Sequence, residues 1–260
     1  MTIHDDSSNL YVRERYEYTD TSYGTNATSS LLTRTLRMNY DGDADHKDSA
    51  TEYSYDTSTG AVLTQTEYGE VSGNADGTFS DTGSDTRTTT YTYATNTTGV
   101  VVPATMLLTD NAGATTTAQR FYYDNLSLGS VGDGNLTKEA VWIAGSEYAE
   151  TDHTYNSLGL RLTTTDPNGN QTTYAYDSFD LYPATITNAL SQATTYTYDY
   201  SSGQVLTQTD PNGNEIRFVF DGLDRTTAEY APDPQTGSEV QAAAITYTAT
   251  RGAFATERSA

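Results

Sequence analysis

Asp166-Pro167-Asn168-Gly169-Asn170-Gln171-Thr172-Thr173-Tyr174-Ala175-Tyr176-Asp177 carries the fold in twelve residues. Its first half is a turn. Pro presets φ at the first central position, Asn tolerates the second, and Gly takes the left-handed position that follows. The Asp side chain can cap the turn backbone. Its second half is a strand that alternates, with Tyr174 and Tyr176 both on one face. Both halves recur. The turn returns as Asp210-Pro211-Asn212-Gly213-Asn214, with a degenerate copy at Asn188-Ala189-Leu190-Ser191-Gln192, so the starts lie 22 residues apart. The aromatic-x-aromatic-Asp anchor returns as Tyr196-Thr197-Tyr198-Asp199 and Phe218-Val219-Phe220-Asp221, again at 22-residue steps. A variant, His153-Thr154-Tyr155-Asn156, precedes them. Two independent markers keep one beat, which defines a repeat of two strands and two turns.

Working outward, the preceding strand of each unit reads as Leu160 to Thr165 and Gln204 to Thr209, with Leu162 and Leu206 in register. Gly159 and Gly203 mark short links between hairpins. Upstream the beat loosens. Tyr16-Glu17-Tyr18, Tyr53-Ser54-Tyr55-Asp56, Tyr91-Thr92-Tyr93 and Tyr122-Tyr123-Asp124 look like further anchors with longer intervals between them. Gly69 to Asp85 reads as a loop insertion, and one strand is expected at Ala244 to Thr250. The organisation is therefore irregular repeats over 1–150, regular 22-residue repeats over 151–232, and a degenerate repeat or tail over 233–260. A lone hairpin cannot bury its own face. The units must stack side by side, with Tyr155, Tyr174, Tyr176, Tyr196, Tyr198, Phe218 and Phe220 forming aromatic ladders. Asp166, Pro167, Gly169, Asp210, Pro211 and Gly213 shape the turns between them.

Composition agrees with an all-β chain. There are 22 Tyr against 6 Phe and 1 Trp, and only 35% of residues are hydrophobic. Thr and Tyr suit a pleated, half-buried surface. Asp and Glu number 35 against 13 Lys and Arg, a formal net charge of −22. Such a chain repels phosphate backbones and anionic lipid, which argues against nucleic acid and against membrane docking. No apolar run reaches membrane-spanning length. Cys is absent, so there is neither a disulfide framework nor thiolate chemistry. Met1 to Asp6 is neither basic nor apolar and does not read as a signal peptide, so either export is non-standard or, the preferred expectation, the chain is a piece of a longer one.

The residues from Tyr155-Asn156-Ser157-Leu158-Gly159-Leu160-Arg161 through Asp177, and Asp221-Gly222-Leu223-Asp224-Arg225 after the last anchor, resemble the YD/RHS repeat family. Its pattern is aromatic-x-Tyr-Asp, Gly-Arg, a strand, Asp-Pro-x-Gly-Asn and another strand. The likeness is strong over 150–232 and partial over 10–150, and Asp224 stands where Gly is usual. The resemblance implies tandem β-hairpin repeats stacked into a long curved antiparallel sheet, an arc of an RHS-type shell. It further implies a secreted or cell-surface, non-catalytic wall, whose partners are the rest of the parent shell and an enclosed C-terminal effector domain. No family core-closing or autocleavage segment is recognisable.

Sharper chemistry has little support. The three His are His4, His46 and His153, and neither a Gly-x-Ser-x-Gly elbow nor a His-Glu-x-x-His zinc motif occurs. His153 occupies a repeat position that elsewhere carries Tyr or Phe, which makes it a ladder member. Asp41, Asp43 and Asp45, with Ser49 and Glu52 beyond, have calcium-loop spacing, although His46 sits where such a loop needs Gly. The other reading is a solvated acidic hairpin loop. The alternative to a shell is an extracellular adhesion or carbohydrate-binding module whose exposed Tyr rows contact cell-surface glycans.

Overall fold

The computed structural model describes residues 1–4, 9–23, 27–40, 45–250 and 253–259. Among these, no helix occurs and every strand pairing is antiparallel. The chain divides into two compact units, Met1–Thr151 and Asp152–Ala260.

The first unit contains β1 (Thr2–His4), β2 (Leu10–Tyr23), β3 (Ala27–Asn39), β4 (Lys47–Tyr55), β5 (Val62–Gly73), β6 (Phe79–Asp81), β7 (Arg87–Thr95), β8 (Val101–Thr109), β9 (Thr115–Tyr123) and β10 (Leu136–Ala144). Consecutive strands pair from β1 to β5, and β7 to β10 continue the run because β7 pairs with the first half of β5. The second half of β5 runs on and pairs with β6 instead. The segment Gly69 to Asp85 is thus a hairpin flap with its own ladder, where a loop was expected. Burial explains the difference. Val71 lies in one core with Leu36, Met38 and Ala50, and Tyr40, Tyr68 and Phe79 pack against it. Two apolar residues, Val71 and Phe79, hold down a segment whose other residues are nearly all turn formers. A second core joins Ala94, Ala104, Tyr123 and Val131.

β11 (Glu147–Tyr155) contains the unit boundary. The second unit continues with β12 (Arg161–Thr165), β13 (Gln171–Tyr176), β14 (Pro183–Thr187), β15 (Ala193–Tyr198), β16 (Val205–Thr209), β17 (Glu215–Phe220), β18 (Thr226–Pro232), β19 (Glu239–Thr250) and β20 (Ala253–Ser259). Each strand from β11 to β20 pairs with the next. The tail is more ordered than its lost beat implied. β19 starts five residues before the expected strand and β20 follows it, because the edge of β18 offers a ladder that compensates for weak local patterning.

Among the described residues of this unit only His153, Ala228 and Ala243 are buried. It is a single-layer sheet, so ladder hydrogen bonds and cross-strand side-chain pairs must supply most of its stability. In an up-and-down sheet, alternate turns fall on opposite rims. The anchor turns after β11, β13, β15 and β17 line one rim, and the Asp-Pro-Asn-Gly-type turns after β12, β14 and β16 line the other.

Candidate functional site: capped turns and a hydroxyl relay

The functional element of a repeat is the device that joins one unit to the next. It begins with the turns. Asp166 Oδ1 accepts from the Asn168 and Asn170 backbone N–H groups, its carbonyl accepts from Gly169 N–H, and its Oδ2 accepts from the Asn170 side chain. Asp210 repeats every one of these bonds around Gly213. The Asp after the anchor does the same on the other rim. Asp177 Oδ1 accepts from Phe179 and Leu181 N–H, and Asp221 Oδ1 from Leu223 and Arg225 N–H. Asn156 and Asn188 cap their turns identically through a carboxamide oxygen. Much of the acidity is therefore turn capping. Gly169 and Gly213 hold φ of 84° and 86° as the turn type requires. Ser191 and Asp224 occupy the corresponding position at 62° and 57°. Ser191→Gly should therefore stabilise the protein by about 0.5–1 kcal/mol, read as a raised urea midpoint.

Capping also sets the acid response. Hydrogen bonds from the Ser58 hydroxyl and from the Ser58 and Thr59 N–H groups lower Asp56 to about 2. The Asn170 and Asn214 side chains lead the lowering of Asp166 and Asp210, and the Ser201 hydroxyl that of Asp199. A carboxylate lowered on folding adds stability above its unfolded value and loses it as pH falls through the folded one. The melting temperature should fall as pH drops from about 4 towards about 2. Asp56→Asn keeps the acceptor and should flatten that fall; an unchanged acid slope would refute the assignment.

At each anchor from Tyr18 to Phe220 the ladder slips by one residue. Tyr176 faces Pro183 while Ala175 faces Thr185, so Ala184 is extra. The same slip falls just before Tyr18, Tyr55, Tyr93, Tyr155, Tyr198 and Phe220, and opposite Tyr123 it leaves Thr137 extra. Leu162 and Leu206, read from sequence as in-register strand positions, are these extra residues. A β-bulge interrupts pairing and adds local twist. On its far side, the residue that faces the anchor also lacks a ladder partner. The β12–β13 ladder starts at Thr163, two residues short of Arg161.

The next anchor fills that gap. The Tyr176 hydroxyl donates to the Arg161 carbonyl at 3.0 Å, and Arg161 is the residue facing Tyr155. Tyr198 donates to Pro183, which faces Tyr176. Tyr55 donates to Leu32, Tyr93 to Val62, Tyr123 to Pro103 and Tyr247 to Thr226, each the residue facing the preceding anchor. Each repeat thus satisfies the polar group that the previous bulge leaves over. Phe220 has no hydroxyl, and Val205, which faces Tyr198, lies two residues beyond the β16–β17 ladder. Phe220→Tyr should restore the rung and add about 1 kcal/mol by chemical denaturation.

Beside the anchors, Thr92 pairs with Thr105, Thr154 with Thr163 and Thr197 with Thr207 through their hydroxyls, all within 2.8 Å. Tyr198 stacks on Tyr182 with centroids 4.6 Å apart and lies 6.4 Å from Tyr196. Tyr155, Tyr174, Tyr176, Phe218 and Phe220 are half-buried. His153 is buried, its Nδ1 3.1 Å from the Thr164 hydroxyl, in the repeat position of Tyr174. Glu52 sits in β4 with its carboxylate accepting from the Arg34 guanidinium at 2.6 and 2.9 Å and from the Tyr68 hydroxyl. Asp45 is exposed, while Asp41 and Asp43 lie outside the described residues. Among the described residues, no three acidic, His or Cys side chains are grouped to hold a metal. Neither the bulges, the relay nor the buried Asp48, whose carboxylate accepts from Gly73 N–H at 2.7 Å, was read from sequence. The fixed offset between anchor and turn was the available signal for the bulges.

These features define an all-β protein of tandem hairpins, most of them docked on the last through an anchor tyrosine. The RHS Repeat family model matches residues 155–189. The fold is similar to the crystal structure of TcdB2-TccC3, with a TM-score of 0.64, 12% identity, and coverage of 94% of this chain and 17% of that one. For TcdB2-TccC3-TEV the TM-score is 0.62 at 13% identity, covering 91% of this chain and 16% of that one. For TcdB2-TccC3-Cdc42 it is 0.50 at 15% identity, covering 99% and 15%. The chain spans about a sixth of the length of these structures. No curated protein matches the sequence.

Proposed function

We propose that this chain is a non-catalytic wall segment of a secreted or cell-surface RHS-type shell that encloses or presents an effector domain. Its partners would be the remainder of the parent shell and that C-terminal domain. One observation carries the reading. The relay joins repeat to repeat along each unit, so the architecture grows as a wall, and the same fold is found within the much longer TcdB2-TccC3 chain. The recurring chemistry of the repeat is devoted to turns and rungs. The test is to sequence the parent locus on both sides. Further Tyr-x-Tyr-Asp repeats followed by an unrelated C-terminal domain support the shell. A flanking signal peptide and a wall or membrane anchor would replace it with surface display.

A second reading, glycan binding, has a specific observation of its own. An open cleft of about 410 Å³ is lined by Tyr155, Arg161, Tyr174 and Tyr176. Half-exposed phenol rings beside a guanidinium suit the faces and hydroxyls of a sugar. Titration with neutral oligosaccharides, comparing the natural chain with Tyr174→Ala, decides it: no saturable binding removes the reading.

A further inference from the structure

The chain contains two Asn-Gly steps, Asn168-Gly169 and Asn212-Gly213, and both stand at the tips of capped turns in the second unit. At Asn-Gly the backbone nitrogen reaches the preceding carboxamide with least obstruction, because glycine has no side chain in the way. All four residues are exposed. Beyond the chain neighbours, no atom lies within 4 Å of where a Cβ would stand on Gly169 or Gly213, so water has free access. The turn itself does not demand this pair. The degenerate copy carries Leu190-Ser191 in the same two places, and Asn188 still accepts from the Leu190, Ser191 and Gln192 N–H groups.

The closed turn opposes rearrangement. Gly169 N–H donates to the Asp166 carbonyl at 2.9 Å, and Gly213 N–H to the Asp210 carbonyl at 3.0 Å. The nitrogen that would attack is thus held by its own proton. Asp166 Oδ1 fastens the N–H groups on either side, those of Asn168 and Asn170, and Asp210 Oδ1 does the same for Asn212 and Asn214. Attack on the carboxamide requires these bonds to break first.

We infer that Asn168 and Asn212 are the chain's sites of spontaneous deamidation, and that the Asp166 and Asp210 caps set the rate by governing how often each turn opens. In the opened turn the Gly169 nitrogen gives its proton to water and bonds to Asn168 Cγ. The Cγ–Nδ2 bond breaks and ammonia leaves, taking up a proton. Water then adds to one carbonyl of the cyclic imide and opens it to aspartate or isoaspartate. Either product adds a negative charge. Isoaspartate also places an extra methylene in the main chain of a turn closed by short-range bonds alone. Local opening of this kind needs no unfolding of the sheet.

The full chain, incubated at mildly alkaline pH and followed by site-resolved peptide mass spectrometry, tests this. Asn168 and Asn212 should convert ahead of every other asparagine. Asp166→Ala should speed conversion of Asn168 about fivefold, the factor that one net hydrogen bond supplies, and leave Asn212 in the same molecule unchanged. Asp166→Asn retains the acceptor and should leave both rates near those of the natural chain. Asp210→Ala should reverse which site accelerates. Equal acceleration of both sites by either Ala variant overturns the inference, as does a folded chain in which neither site converts. Should the Ala variants not fold, urea below the unfolding midpoint decides on the natural chain. Conversion through local opening should be nearly independent of urea, whereas conversion that tracks the unfolded fraction overturns the inference.

Discussion

Tyr198→Ala is expected to lower stability by about 2–3 kcal/mol, while Tyr198→Phe costs about 1 kcal/mol. The split follows from two separate roles. The ring stacks on Tyr182 at an interplanar angle of 20° and supplies packing that a single-layer sheet has little other means to obtain. The hydroxyl donates to the Pro183 carbonyl at 3.0 Å, at a place where the β14–β15 ladder has already stopped. Phe keeps the first role and abandons the second, leaving a carbonyl without its partner. Urea denaturation of both variants checks the pair. A Phe variant as damaging as Ala would assign the whole effect to the hydroxyl. A Phe variant indistinguishable from the natural chain would remove the relay as a source of stability. Phe220→Tyr is the same experiment run in the opposite direction, and the two together separate a general rung from a local accident at Tyr198.

The second large effect lies in the first unit. Leu36→Ala should cost about 3 kcal/mol, because Leu36 is 1% exposed and the flap closes over it. Gly73→Ala attacks the same junction from the other side. A Cβ there would stand 2.9 Å from the Asp48 Oδ2 and 3.0 Å from a Leu36 methyl. The added carbon would have to push aside the carboxylate that accepts from Gly73 N–H, inside an apolar cluster. Loss of that bond leaves a buried charge with one partner fewer, His46 at 2.5 Å remaining. Hydrogen exchange locates the damage. Amides of Val71 to Asp81 should lose protection in both variants before those of β7 to β10 do. Uniform loss across the unit would mean that the flap and the sheet unfold as one.

The repeat was legible because its determinants are local. Pro at one turn position, Gly at the left-handed one and a side-chain oxygen bonded to its own turn all act within five residues. Residues 166–170 and 210–214 therefore announce their geometry before any tertiary contact exists. The same locality made the anchors visible, since Tyr-x-Tyr places two rings on one face wherever the strand happens to sit. The flap was hidden for the opposite reason. Val71 and Phe79 are two apolar residues in a polar stretch, and their meaning comes from Leu36 and Met38, more than thirty residues away. Likewise Glu52, which sequence spacing grouped with Asp41, Asp43 and Asp45, is held by Arg34 from the adjacent strand.

By itself, then, the sequence determined the class of fold, the 22-residue beat, the turns and the anchor tyrosines, all through backbone preferences and short-range hydrogen bonds. Only the tertiary structure decided which carbonyl each tyrosine reaches, where the ladder slips, and which leucines end on an open rim. Those depend on strand register, and register is a property of two strands together, set by how a neighbour's pleat and bulge leave polar groups over for the next strand to satisfy.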